Sequence, residues 1–517
     1  MSLPCVENRA TGRSTAAVGA WATSLVLAAC LVPATSIVLA IVDPALRDWF
    51  LIPVTLCGVL IGVDAVEWVR RRRDVFDPQA ILGLFGLHFY YLAPVLHVML
   101  DRWPPIVSPA TGQWRTALGV MALLNLAGLI VYRVVVWLPE RPRRLRRPRR
   151  SVLRLDEGRF YRLAVLAVLA GLLAFAAEVL VLGGPDGFLH AMTSDRDALA
   201  GLGWLLVMSE SFPLLLFALV AVRFRTALRR RGGLVILLLV GLVAIQFAVG
   251  GLRGSRSSVL WPLVLGLVLV HFLIFSISRR AFAAAAVVVV AFTYGYGLYK
   301  GAGAGVVDIA KGSRTVEEVS TQTGRDLPTV LLGDLGRADM HALVLDRVLS
   351  GADQYAYGST YLAASLSLVP GQLRPDKPRD KVEVGTDLLY GPGTYAAGLR
   401  SGRVYGLTGE AILNFGPTGG LLSFVVLGLF LRFARRWHAT ARRSDDPAPK
   451  LLCLPLCAVT VILLTADMDN ILSFYVGEAL PLAAVVVIAS VGRRGRPAQC
   501  DESGRLTSRY VLASKRD

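Results

Sequence analysis

Long apolar runs recur along the chain, separated by short polar segments. A run of about twenty residues predicts a membrane-spanning helix, because a helix rises about 1.5 Å per residue and the hydrocarbon core is about 30 Å thick. About twelve such runs are present, and the last pair is short: 16–41, 49–69, 80–100, 115–138, 161–182, 203–222, 234–251, 258–277, 281–299, 407–431, 451–466 and 471–490. We therefore predict an all-α polytopic membrane protein with about twelve transmembrane helices.

Residues 300–406 interrupt this pattern, because they contain no apolar run of membrane length. Connections this long within a compact fold are usually functional or disordered. Aromatic residues, glycines, prolines and balanced charge favour a folded, partly helical loop domain here. The chain then divides into an N-terminal membrane bundle of about nine helices (1–299), the loop domain (300–406), C-terminal membrane helices (407–492) and a basic tail (493–517).

Arginine clusters follow every second apolar run, and this alternation predicts how the chain lies across the membrane. Cytoplasmic loops carry an excess of Lys and Arg, so the clusters and both termini are predicted to be cytoplasmic. The long loop between helices nine and ten is then extracytoplasmic. The predicted outer loops carry acidic residues instead: Asp43, Asp101, Asp186, Asp195, Asp197, Asp467 and Asp469. We expect a multi-pass protein of the plasma (inner) membrane.

The composition favours a membrane protein over a protein that binds nucleic acid. The chain has 517 residues, 54% of them hydrophobic, and a formal net charge of +18. Such a charge can indicate nucleic-acid binding, but these arginines lie beside apolar runs, where they set topology. We expect no nucleic-acid partner. No Cys, His and Asp cluster with metal-ligand spacing is present in the sequence, so we expect neither a metal ion nor another cofactor.

One turn departs from the charge rule. The segment Gly250-Gly-Leu-Arg-Gly-Ser-Arg-Ser-Ser258 lies between the seventh and eighth runs, on the predicted outer face. Charged groups near the bilayer are costly and are usually kept for a function. Arg253 and Arg256, with the Ser257 hydroxyl, suit a diphosphate, because a guanidinium group binds phosphate oxygens through two hydrogen bonds. The alternative is that both arginines snorkel to lipid phosphates.

The long loop contains residues suited to a sugar. The run Tyr357-Gly-Ser-Thr-Tyr361 offers flat aromatic faces and hydroxyl groups, which hold sugars by stacking and hydrogen bonding. Tyr361 is therefore a candidate substrate-binding residue. Arg374 and Lys377 add positive charge on the same predicted side. Ordinary surface charge is the alternative for these two residues.

Candidate acids and bases lie on both sides of this run. His341 is the only histidine of the loop, and Asp339 lies two residues before it. Histidine titrates near neutrality and can act as acid or base, although a lone histidine is more often structural. Glu410 is expected at the outer mouth of the tenth run, with Asn414 one turn deeper on the same face. The alternative for Glu410 is an ion pair with a loop arginine such as Arg403, itself a candidate substrate contact.

The chain resembles the Wzy-type O-antigen polymerases, also called oligosaccharide repeat-unit polymerases. The resemblance lies in the turn Gly254–Arg256, in the run Pro370–Pro378, and in Gly409-Glu-Ala-Ile-Leu-Asn-Phe-Gly416 followed by Gly419-Gly420. The layout is also similar, with many helices and one large outer loop in the second half. The resemblance implies polymerisation of undecaprenyl-diphosphate-linked oligosaccharide repeat units at the outer face of the membrane, by glycosyl transfer without a metal.

The same resemblance assigns roles and partners. It implies that Arg253 and Arg256 contact the diphosphate and that Glu410 is the acidic residue of its motif, so Arg253→Ala and Arg256→Ala should abolish polymer without affecting membrane insertion. Partners would be lipid-linked oligosaccharide, membrane lipids, and chain-length-regulator and flippase proteins. An O-antigen-ligase-type transferase is the nearest alternative. A transporter is another, but it predicts inverted or parallel repeats and charges at the membrane midplane, which the sequence does not indicate.

Overall fold

The computed structural model describes residues 8–103, 113–138, 154–193, 196–199, 201–302, 311–323, 326–351, 355–367, 369 and 378–490. Arg374, Lys377 and the tail 493–517 lie outside the described residues. Within these residues, nine apolar helices of membrane length precede the long loop: α1 Trp21–Val42, α2 Leu51–Val69, α3 Pro78–Met99, α4 Trp114–Trp137, α5 Glu157–Val181, α6 Gly203–Arg223, α7 Gly232–Gly251, α8 Ser257–Ile274 and α9 Arg279–Tyr299.

The described part of the long loop forms short helices, none of membrane length: α10 Val316–Thr323, α11 Ala338–Leu349, α12 Ser359–Leu366 and α13 Lys381–Tyr390. α11 is amphipathic, and its apolar face packs into one hydrophobic cluster with residues of α2 and α4. The loop is therefore held directly on one end of the membrane helices. The turn that carries Arg253 and Arg256 lies at this same end, because Arg256 pairs with Asp334 of the loop.

Three helices follow the loop in the part of the chain that the structure describes: α14 Gly406–Arg443, α15 Pro447–Ile462 and α16 Met468–Ala489. α14 has 38 residues, so it is about 57 Å long and exceeds the thickness of a bilayer. It is interrupted at Gly416, whose φ of 66° and ψ of −156° are not helical. The break lies directly before Pro417, whose ring and missing N–H disfavour a continuous helix. α14 packs against α4, α11 and α15, and so connects the loop to the membrane bundle.

The predicted fold class is confirmed: this is an all-α polytopic membrane protein. Within the described residues, 11 helices are long and apolar enough to cross a membrane. The run predicted at 451–466 forms α15, which has only 16 residues and is shorter than a typical span. Its start is moved forward because Asp446 caps it: the Asp446 carboxylate accepts a hydrogen bond from the Ala448 amide at 2.8 Å, and Pro447 follows the cap.

Candidate functional site

A largely apolar cavity of about 350 Å³ separates α9 from α8, α3 and α15. On α8 its lining runs from Arg256, the residue before the helix, to Val268. These twelve residue steps correspond to about 18 Å along the helix axis, more than half of a hydrocarbon core. The polar lining residues gather mainly at the loop end: Arg256, Ser257, Asp334, Arg337, Thr465 and Asn470. The cavity thus combines a long apolar channel with a charged entrance.

Both arginines of the turn are paired with carboxylates that sequence reasoning missed. Arg256 donates from both terminal nitrogens to Asp334, each at 2.5 Å. Arg253 lies 2.5 Å from the Glu210 carboxylate of α6 and donates to Ser258 at 3.3 Å. Arg256 and Ser257 line the cavity, as expected of substrate contacts, whereas Arg253 faces Glu210. Arg256 therefore lies at the cavity and Arg253 lies against Glu210, although the two arginines are only three positions apart in the sequence.

Arg337 is a further cavity residue, and it was not among the residues predicted from the sequence. It precedes α11 in the left-handed backbone region, with φ of 60°, and it donates to the Gly333 carbonyl at 2.8 Å. Its Nε atom is buried and has no hydrogen-bond partner. Burial lowers the pKa of this guanidinium, although Asp334, Asp467 and Asp339 lie near enough to oppose the effect. An anion in the cavity would relieve this cost.

Glu410 lies in a buried network with Thr360 and Asn414, beside the loop end of α14. Its carboxylate accepts hydrogen bonds from the Thr360 hydroxyl at 2.9 Å and from the Met468 amide at 2.7 Å. Asn414 donates to Thr360 at 2.7 Å and to the Glu410 carbonyl at 2.8 Å, which confirms that it lies one turn deeper. Among the described residues, these groups rather than Arg403 are the partners of Glu410.

Lys381 and Asp467 form a buried ion pair next to this network, with an N–O distance of 2.6 Å. Asp467 also accepts from the amides of Tyr405 and Gly406 at 2.7 and 2.6 Å. α13 begins at Lys381 because Asp380 caps it, accepting from the Val382 and Glu383 amides at 3.0 Å. Burial alone would lower the pKa of Lys381, but Asp467 and Asp469 raise it, so the lysine keeps its charge.

His341 and Asp339 are also buried at the start of α11. The His341 Nε2 atom lies 2.5 Å from the Tyr405 carbonyl and therefore donates to it, while Nδ1 is buried without a partner. The ring meets the edge of Phe89 at a centroid distance of 5.3 Å. Asp339 accepts from the Met340 amide at 2.8 Å and lies 3.8 Å from His97. None of the three predicted catalytic residues, His341, Asp339 and Glu410, lines the cavity.

His341 is expected to make the fold less stable in acid. Burial lowers its pKa from 6.5 to about 4, so its contribution is complete above pH 6.5 and is lost as the pH falls toward 4, at a cost of about 3 kcal/mol. His341→Gln keeps a donor for Tyr405 and removes the titration. Its unfolding free energy, measured in detergent against pH, should fall less than that of the wild type. The exposed His190→Gln is the control, and parallel curves for His341→Gln and wild type would contradict the assignment.

Tyr361 belongs to an aromatic surface on the loop. It stacks on Phe415 with a centroid distance of 6.3 Å and an interplanar angle of 30°. Burial raises the pKa of its hydroxyl, and Glu410 and Asp467 add to the effect. Tyr361 is half-buried and Tyr357 is exposed, so the aromatic faces remain accessible. Arg403 is also half-buried, and its Nη1 atom lies 3.8 Å from the sulfur of Met340.

The break in α14 depends on glycine at position 416. Gly416→Ala would place a Cβ atom 2.7 Å from the Tyr355 hydroxyl, at a positive φ. We expect a loss of about 1–3 kcal/mol in unfolding free energy from the backbone strain. The matched control is Gly295→Ala in α9, where a Cβ meets nothing within 4 Å, and where alanine should stabilise the helix by about 0.5–1 kcal/mol. Equal shifts of the two variants in thermal unfolding would disprove the strain.

Several of the described spans contain buried charged residues that were not among the predicted site residues. Glu178, Glu210 and Glu478 are buried in α5, α6 and α16. Asp64 of α2 is 2.9 Å from Arg133 of α4, and both are buried. The sequence signal for these residues is a single acidic residue within a long apolar run. One such residue changes the mean hydropathy of the run very little. Buried charged residues within spans are a feature of many transporters, so these residues favour the transporter alternative.

The chain has no match among known proteins that would assign a family. Comparison with protein-family models, with curated protein sequences and with solved structures finds no match. The candidate site therefore consists of an apolar cavity with a cationic entrance and, next to it, a buried carboxylate network that carries an aromatic surface.

Proposed function

We propose that the protein is a glycosyltransferase that polymerises undecaprenyl-diphosphate-linked oligosaccharide repeat units. It would act in the plasma membrane, with the loop on the outer side and both termini in the cytoplasm. The observation that carries the proposal is the cavity: an apolar channel between α8, α9, α3 and α15 ends at Arg256 and Arg337. A lipid tail fits the channel by apolar burial, and a diphosphate fits the two guanidinium groups.

The first step of this function is to hold the donor by its diphosphate. Asp334 neutralises Arg256, whereas Arg337 has a buried nitrogen without a hydrogen-bond partner among the described residues. A diphosphate would accept from both groups, which could also stabilise the negative charge that develops as it leaves. Ser257 begins α8, and the positive end of the helix dipole adds to the same effect.

In the transfer step, a hydroxyl of the acceptor sugar attacks the anomeric carbon of the donor. The new glycosidic bond forms while the bond from that carbon to the diphosphate breaks, and the diphosphate leaves on its lipid with the electron pair. The hydroxyl proton passes to a base. We assign this role to Glu410, because it accepts a hydrogen bond from Thr360, the residue before Tyr361 in the aromatic surface that would hold the acceptor.

Reconstitution tests this function and separates it from its nearest alternative. Purified protein in vesicles or detergent is supplied with undecaprenyl-diphosphate-linked oligosaccharide, and the products are resolved on a glycan gel. A ladder of repeat units supports the polymerase. A single product, in which finished glycan is joined to another acceptor, indicates a ligase, and unchanged substrate would disprove glycosyl transfer.

A transporter is the second candidate, because buried charged residues within spans mark many ion and substrate pathways. Glu178, Glu210 and Glu478 are the residues that favour it. A transporter would move lipid-linked oligosaccharide between the leaflets of a vesicle and would not lengthen it in detergent. Elongation in detergent, where no leaflets exist, would therefore exclude transport as the sole activity.

A further inference from the structure

Three glutamates from different spans converge beside Arg253. Glu178 of α5, Glu210 of α6 and Glu478 of α16 are 0%, 8% and 6% exposed. Glu210 interacts electrostatically with both of the other carboxylates, and Arg253 with Glu178 and Glu210. Ionisable residues inside a membrane are rare and usually paired or functional. This cluster lies outside the apolar cavity and has no part in the glycosyl transfer described above.

Among the described residues, Glu210 is the carboxylate of this cluster that forms an ion pair with Arg253. Arg253 lies 2.5 Å from Glu210. Glu178 accepts a hydrogen bond from Ser209 at 2.8 Å. Glu478 accepts one from the Gln246 amide at 3.0 Å, and the same amide donates to the Glu210 carbonyl at 3.1 Å. One positive charge therefore faces three acidic groups, and two of these have only neutral donors.

The other polar atoms of the cluster are acceptor oxygens that lack a hydrogen-bond donor. Glu178 Oε1, Glu478 Oε2 and Gln246 Oε1 are buried acceptors without a partner. Gln246 is fully buried, and its side chain is directed at Glu478. A set of acceptors alone calls for protons or a bound cation. Among the described residues, no three His, Cys, Asp or Glu side chains are arranged to hold a metal ion, so protons are the better match.

Among the described residues, Arg253 is the cation that acts on Glu178 and Glu210. The short helix Gly184–Thr193 packs against α5, but its Asp186 and His190 are exposed. α15 also packs against α16, but its Cys457 interacts with Cys453, Asp77 and Asp74, near the ends of α2 and α3. The backbone is specialised here as well, since α7 and α16 each contain a π-helical turn, Phe247–Gly251 and Tyr475–Ala479. Such turns are frequent at functional sites. One of them begins directly after Gln246, and the other contains Glu478.

We propose that Glu178, Glu210 and Glu478 form a proton-binding site that is linked to Arg253. While Arg253 is paired with Glu210, the other two glutamates carry protons, which makes the cluster neutral. When Arg253 turns to an anionic ligand, Glu210 loses its partner inside the membrane and takes up a third proton. The identity of that ligand as a lipid diphosphate rests on the proposed function. The assignment of protons to Glu178 and Glu478 does not depend on it.

Infrared spectroscopy tests the resident protons without any ligand. At neutral pH, Glu178→Gln and Glu478→Gln should each lose part of the absorption of protonated carboxyl groups seen in the wild type. Glu157→Gln, which changes an acid exposed at the start of α5, should leave the absorption unchanged. Unchanged absorption in the two buried variants would overturn the proposal. Failure of either variant to fold would also overturn it, because replacing a protonated carboxyl group by an amide should cost little folding stability.

Binding of farnesyl diphosphate in detergent tests the third proton. The bound form holds one more proton than the free form, so wild-type affinity should fall by up to tenfold for each unit that the pH rises. Glu210→Gln removes both the competing carboxylate and the proton, so it should bind more tightly and with a weaker pH dependence. Equal pH dependence in the two proteins would overturn this linkage. No binding by the wild type at any pH would instead count against the proposed function, and the infrared result would remain independent.

Discussion

Arg256→Ala is expected to lower polymer formation by about 10²–10³-fold, which is the usual effect of removing one group that stabilises transition-state charge. Arg256 is the predicted arginine that lines the apolar cavity, and its guanidinium is already arranged for two parallel hydrogen bonds by Asp334. A diphosphate would use the same two donors. Arg256→Lys should recover only part of the activity, because an ammonium group cannot reproduce this paired geometry.

Three controls separate the loss of a cation from a loss of structure. Asp334→Asn breaks the same ion pair but keeps the arginine, so its loss of polymer should be much smaller. Arg225→Ala removes an exposed arginine that pairs with Glu157 and should behave as the wild type. Protein amount in the membrane and elution on gel filtration should be the same for all variants. Polymer of normal amount and length from Arg256→Ala would refute the role of Arg256.

Lys381→Met is expected to lower the unfolding free energy by about 3–5 kcal/mol, because it leaves a buried carboxylate without its counter-charge. Lys381 contacts Asp467 at 2.6 Å, and Asp467 is fully buried. Asp467 in turn holds the amides of Tyr405 and Gly406, where α14 begins. The same change should therefore weaken the docking of the loop on α14 and reduce polymer formation as well.

A nearby arginine provides the matched control for Lys381. Arg379 pairs with Glu383 and Asp387, but its side chain is 55% exposed. Arg379→Ala should lower the unfolding free energy by less than about 1 kcal/mol. Adding Asp467→Asn to Lys381→Met should restore part of the lost stability, because it removes the unpaired charge. Unfolding in detergent followed by circular dichroism measures all four proteins, and similar losses in Lys381→Met and Arg379→Ala would contradict the buried pair.

The membrane helices were predictable because their cause is local. In a bilayer, backbone groups must be satisfied within the segment, so an apolar run of sufficient length becomes a helix whatever surrounds it. The exception is instructive: the run at 451–466 forms α15, which starts earlier and is only 16 residues long. Its start is set by the Asp446 cap. Hydropathy alone does not register such a polar signal.

The candidate site was predicted only in part. The charge rule pointed to Arg253 and Arg256, because they stand out along the sequence. The acidic partner of Arg256 could not be identified in this way. Asp334 is 78 residues from Arg256, and acidic residues are common in loops. Arg337 was overlooked for the same reason, although it lines the cavity beside Arg256. The resemblance to repeat-unit polymerases and the roles of Arg374 and Lys377 stay predictions.

The sequence by itself determined the class of this protein, because the lengths of apolar runs decide where helices form. Only the tertiary structure decided which charges meet. It placed Arg256 at the entrance of the cavity and Arg253 against Glu210, and it enclosed Glu410 with Thr360 and Asn414. Hydrophobic burial acts along one helix and can be read from its residues, whereas an ion pair or a cavity exists only between helices that are distant in the chain.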